Sequence, residues 1–133
     1  MFRIKFSREF VLKILYQADV LLMSIEDTEQ LLEQELTKAL GLSDVEREFI
    51  SKLVREVYRD RDSMDARIQE HLIGWTLNRL TPIDRNLMRL ALAEAQTNDQ
   101  KGIIIDDVIR IAKKYSEEES FKIINAVLDK IIP

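Results

Sequence analysis

The sequence predicts an all-α protein, a compact bundle of about seven helices in a single domain of 133 residues. Three observations carry this. Only three glycines and two prolines interrupt the chain. Charged residues make up 33% and the apolar set 46%, the composition of helices with one wet face. The apolar residues recur at intervals of three and four, the spacing that lines one face of a helix.

The first helix is expected over about Ser7–Met23, with Phe10, Val11, Ile14, Leu15, Ala18, Leu21 and Leu22 on its stripe and Ser7 as its cap. The second runs over about Asp27–Leu40 on Leu31, Leu32, Leu36, Ala39 and Leu40, with Gly41 as its stop. Ser43-Asp44-Val45-Glu46 is a capping box, in which serine and glutamate satisfy each other's free backbone amides. A third helix follows to about Asp60 on Phe49, Ile50, Leu53, Val54 and Val57. Arg59-Asp60-Arg61-Asp62 reads as a joint between helices and divides the chain into halves of about 1–60 and 61–133. A fourth helix is expected over about Ser63–Ile73, with Gly74-Trp75 near its end. Thr81-Pro82-Ile83-Asp84 starts a fifth, through about Thr97, because proline suits the first helical position. After the turn at 98–102, a sixth covers about Ile104–Tyr115; the β-branched run Ile103–Ile105 also suits a strand, but a lone strand would have no partner. Ser116 is expected to cap a seventh, with Glu117-Glu118-Glu119 as acids in its first turn.

Composition also excludes function classes. The chain has no cysteine, so disulfides and thiolate metal sites are ruled out and a reducing cytoplasm fits best. Met1–Arg8 alternates charge with apolar residues and lacks the unbroken apolar core, about 7–15 residues long, of a secretory signal. No apolar run approaches the roughly 20 residues of a bilayer span, so no membrane role is expected. His71 is the only histidine, the glycines are isolated, and no Gly-x-Ser-x-Gly elbow occurs. No catalytic residue, metal site or cofactor is therefore expected, and the reading is a binding module. His71 reads as a surface or capping residue, and Asp106-Asp107 as partners of a helix dipole.

Two features point to binding. The net charge is −4, yet residues 1–17 hold Arg3, Lys5, Arg8 and Lys13 against Glu9, a balance of +3 that leaves −7 on the rest. Arg110, Lys113 and Lys114 then fall on one helical face and are followed by Tyr115. Cations interleaved with aromatics suit single-stranded RNA, where phosphates meet cations and unstacked bases meet rings. Lysines at a helix C-terminus also partner the dipole, and periodicity does not separate the two. On the first helix, Tyr16 lies about 150° from the core stripe with Leu12, Val20 and Met23 nearby. That helix is therefore either buried all round or docks a partner through Tyr16.

Four motifs in order resemble the NusB family: Ser7-Arg8-Glu9 with Leu15-Tyr16-Gln17; Trp75-Thr76-Leu77-Asn78-Arg79-Leu80; Asp84-Arg85-Asn86-Leu87-Met88-Arg89-Leu90-Ala91 with Glu94; and Ile111-Ala112-Lys113-Lys114-Tyr115 followed by Ser120 to Asp129. The resemblance spans essentially the whole chain. It implies two helical halves and a transcription antitermination role: with a NusE-like ribosomal protein, such proteins bind the boxA element of nascent RNA, join the RNA polymerase antitermination complex and support ribosomal RNA synthesis. It places RNA contacts on Arg3, Lys5, Arg8, Arg89, Lys113, Tyr115, Glu119 and Lys122, and NusE contacts on Tyr16 and Asp84. A methyltransferase activity, found where the fold is fused to such a domain, is not expected, since the chain ends at Pro133. Two departures stand out. The family's initial arginine run is thinned to spaced Arg3, Lys5 and Arg8, and its Phe-Val-Asn-Gly is here Ile123-Ile124-Asn125-Ala126. Without an aromatic at Ile123 a base-stacking platform is lost, worth roughly 1–3 kcal/mol per base. RNA binding is therefore expected to lean on the partner. An interaction module with weak or lost RNA binding is the alternative, and a homodimer covering the RNA face is a further expected association.

Overall fold

The computed structural model describes residues 1–133 and contains six α-helices and one short 3₁₀ turn. They are α1 (Ile4–Val20), α2 (Ile25–Lys38), α3 (Asp44–Glu70), α4 (Pro82–Ala95), α5 (Lys101–Tyr115) and α6 (Ser120–Ile131), with the 3₁₀ turn at Leu77–Arg79 between α3 and α4. The all-α class stands, but the count drops because two expected helices are one. Arg59–Asp62 is interior to α3, which runs 27 residues without a joint. Its buried stripe of Ile50, Leu53, Val54 and Val57 resumes in register at Met64 and Ile68. The charged turn between them is exposed to solvent, with Arg59, Arg61 and Asp62 at the edge of a cleft.

The helix ends follow their chemistry with two corrections. The Ser43–Glu46 capping box forms in full: Glu46 N–H donates to Ser43 Oγ at 3.1 Å and Ser43 N–H to Glu46 Oε1 at 2.9 Å. Ser24 caps α2 through the Asp27 amide, and Thr81 caps α4 through the Asp84 amide. Ser7, however, is not a cap, because α1 already begins at Ile4 and Ser7 is buried one turn in. Ser116 is not a cap either. It ends α5, and its hydroxyl lies 3.3 Å from Thr81 Oγ1 and 3.1 Å from that of Ser120, so Glu117–Glu119 precede α6 instead of filling its first turn. Ile103–Ile105 lies within α5, as the helical reading requires. His71 ends α3, its Nδ1 3.0 Å from the Arg67 carbonyl.

The centre of the bundle is α4, not α1. Ten of its 14 residues are buried, and it packs against α1, α3, α5 and α6. One cluster of 32 buried apolar residues runs through all six α-helices. α1 presents Val11, Ile14, Leu15 and Ala18 to that core and leaves Lys13, Tyr16 and Val20 at the surface, which excludes burial all round. No helix is long and apolar enough to cross a membrane.

Candidate nucleic-acid and partner interface

A charged network joins α1, α4 and α5 at the basic end of the chain. The Arg8 guanidinium is 1% exposed and donates a two-pronged pair to Glu94 at 2.7 Å through each of Nε and Nη2, plus one bond to Asp107 at 2.8 Å. Asp107 also accepts from Arg110 Nε at 2.6 Å, and Arg110 reaches Glu9 at 3.1 Å. Glu9 in turn accepts from Lys114 at 3.1 Å and from the Tyr115 hydroxyl at 2.8 Å. Three cations therefore face three carboxylates, and the network has no spare positive charge. Burial works to raise the Glu9 carboxyl, but the hydrogen bonds from Tyr115, Lys114 and Arg110 outweigh it and hold the group below its ordinary value. Asp107 is likewise pushed up by burial and pulled down further by Arg110 and Arg8.

A second network closes the opposite end of α1. Asp19 accepts from Arg85 at 2.6 and 3.0 Å, from Asn86 at 2.8 Å and from Arg89 at 3.1 Å, and Arg89 makes a two-pronged pair with Asp65 of α3 at 2.8 Å. Burial raises the Asp19 carboxyl, yet these donors, Arg85 foremost, leave it below its ordinary value.

These networks correct the expected site. Arg8 and Arg89 are core ion-pair residues, 1% and 5% exposed, so their guanidinium groups hold helices together and offer nothing to a phosphate in this conformation. Asp107 is no dipole partner, since α5 begins six residues earlier at Lys101. Arg3 is partly committed as well. It donates to Glu46 from its backbone N–H and Nε at 2.8 Å and stacks 4.3 Å over the Phe6 ring, tying the start of α1 to α3. Those bonds, together with the Ser43 amide, hold Glu46 well below the carboxylate range.

The other expected RNA residues are at the surface. Lys5 and Lys113 are exposed and form no ion pair, and the Lys113 ammonium sits 4.7 Å from the centre of the Phe121 ring. Tyr115 is half-exposed, and Lys122 pairs with Glu119 at 2.6 Å, both of them exposed. Lys113, Tyr115, Glu119 and Lys122 thus gather where α5 ends and α6 begins, while Lys5 and Arg3 lie at the start of α1.

Tyr16 forms one wall of a groove of about 360 Å³, with Leu12 and Ile83 among its apolar residues and Tyr115 and Glu9 beside it. The expected partner residue and an expected RNA residue therefore share one surface, linked through Glu9. Asp84 lies next to Ile83 but is buried, with Oδ1 lacking a partner. Sequence reading missed Glu94, Asp107, Asp19 and Asp65 as structural anions. Their signal was a carboxylate placed on a helix's apolar stripe, as Glu94 is after Leu87, Leu90 and Ala91.

Comparison with known proteins agrees with this architecture. The NusB family model matches residues 5–133. Transcription antitermination protein NusB of Acetivibrio thermocellus is 32% identical over 129 residues, covering 95% of this chain and 86% of that protein. Its counterpart in Macrococcus caseolyticus is 34% identical over 95% of this chain and 93% of its own length. Among solved structures, T. maritima NusB superposes with a TM-score of 0.86 at 32% identity, over 96% of this chain and 89% of that one. NusB in the crystal structure of antitermination factors NusB and NusE with dsRNA gives 0.80 at 26% identity, over 96% and 94%. With the family model matched over nearly its full length and two relatives above 30% identity, the chain belongs to the NusB family.

Proposed function

We propose that this chain is a non-catalytic transcription antitermination factor of the cytoplasm. With a NusE-like ribosomal protein it binds boxA-type single-stranded RNA, enters the RNA polymerase antitermination complex and supports ribosomal RNA transcription. The observation that carries the reading is the family match over residues 5–133, joined to the likeness to a NusB solved together with NusE and RNA. The geometry supports a division of labour. Lys5 and Lys113 meet phosphates, Tyr115 offers a ring to a base, and Arg3 and Lys122 join when their acidic partners yield. Tyr16, over its apolar groove, docks the protein partner, with Asp84 positioning the start of α4 beside it.

A second reading, an interaction module with weak RNA binding, is favoured by one observation: Arg3, Lys122 and Lys114 are each matched by an acid of the chain itself. The two are separated by sedimentation of a labelled boxA-type RNA with this protein, with and without the NusE-like partner. The antitermination reading expects a ternary complex, and Tyr16→Asp is expected to remove the partner while leaving the fold intact. A partner complex that excludes RNA at low salt would favour the second reading.

A further inference from the structure

A third groove lies between α6 and the connection from α3 to the 3₁₀ turn. It encloses about 240 Å³, with Ile123 and Val127 on its apolar side, Trp75 as its aromatic wall, and His71, Lys122 and Lys130 as its polar residues. No carboxylate lines it. Trp75 is 49% exposed, a high value for the most costly apolar ring to leave in water. Nor is it loosely held: Gln69 donates from Nε2 to the Trp75 carbonyl at 2.9 Å and accepts the Leu77 amide at 2.8 Å, clamping both sides of the segment. Gly74, at φ +77°, makes the turn that presents the ring. Lys130 has no ion pair, and Lys122 is tied only to the exposed Glu119.

A flat aromatic wall, an apolar floor and a cationic rim, with no carboxylate lining the groove itself, are what an unstacked nucleobase and its flanking phosphates require. Lys122 belongs both to this rim and to the surface where α5 meets α6, so the groove continues that surface. Ile123 lies in the same groove as Trp75. The ring therefore stands beside Ile123, the α6 position that lacks an aromatic.

We propose that this groove is a nucleotide-binding site that takes one unpaired base of a single-stranded RNA, stacked on Trp75, with Lys130 and Lys122 at the adjoining phosphates. This rests on the RNA-binding reading above and adds to it a site and a residue for base recognition.

Trp75 is the only tryptophan of the chain, so its emission reports on this groove alone. The experiment titrates a dye-labelled boxA-type single-stranded RNA into the full chain with a tryptophan-free NusE-type partner, reading RNA anisotropy and Trp75 emission together. The expected result is quenching that saturates along with anisotropy. Trp75→Ala is expected to weaken binding about 5- to 150-fold, with Trp75→Phe restoring most of it. Lys130→Ala, a surface change that leaves the fold in place, is expected to lower the salt slope by about 0.7. Anisotropy that rises without quenching, with affinity and salt slope unchanged in Lys130→Ala, overturns the groove assignment while leaving RNA binding intact. No anisotropy change at all overturns the RNA reading and this site with it. An emission shift that follows protein concentration without RNA places a second copy in the groove and likewise overturns the assignment.

Discussion

Removing the Arg8 side chain strands Glu94, with 3% of its side-chain surface exposed, as an unpaired anion in the core, and leaves the equally buried Asp107 with Arg110 as its one remaining cation. Breaking a buried pair in this way costs about 3–5 kcal/mol. Arg8→Ala is therefore expected to lower stability by that amount in urea denaturation, and Arg8→Lys to recover only part, since an ammonium cannot reproduce the fork to Glu94. Loss of RNA binding in Arg8→Ala would report a damaged core and not a lost phosphate contact. The carboxylates of Asp19, Asp107 and Glu9 give a pH signature. Their folded values lie below ordinary ones, so on acidification the unfolded chain takes up protons first. Their contribution is complete above the ordinary carboxylate range near pH 4 and is lost as pH falls through the depressed folded values. Urea midpoints measured from pH 7 downward are expected to drop most steeply below about pH 4, and less steeply in Asp107→Asn.

At the scale of the element, α3 makes the sharpest claim. A proline at Arg61 would be tolerated in a joint between two helices, but in a continuous helix it removes a backbone hydrogen bond and clashes with the preceding turn. Arg61→Pro is expected to cost about 3 kcal/mol or more. Ser43→Ala, which opens the capping box at the start of the same helix, is expected to cost about 1 kcal/mol. Where local chemistry is self-contained, the sequence was readable. Ser43-x-x-Glu46 and Thr81-Pro82 begin helices because their partners are three residues away or their dihedral angles are preset. Where an end is set by tertiary contact, it was not. Arg59–Asp62 resembles a joint because its residues are polar, but their polarity reflects exposure to solvent at the edge of a cleft, which local pattern does not encode. Ser116 has the chemistry of a cap, yet its hydroxyl sits beside Thr81, 35 residues away, in a contact no window along the chain contains.

Over the whole molecule, the same distinction separates the bundle from its candidate site. The apolar stripes were visible because each lies within one helix, and they meet in one core. Which arginines face water was not visible, because the acids that claim Arg8 and Arg89 lie 86 and 99 residues away in the first case and 24 and 70 in the second. Of the cations placed on the RNA face by resemblance, only Lys5 and Lys113 are exposed without an acid of their own, so they should carry the largest share of phosphate binding. The decisive measurement is the salt dependence of boxA-type RNA binding in the presence of the NusE-like partner, comparing the natural chain with Lys5→Ala/Lys113→Ala. Two lost phosphate contacts should lower the slope of log affinity against log salt by about 1.4. An unchanged slope with unchanged affinity would contradict the account, because it would place the RNA away from the surface built from α1, α5 and α6.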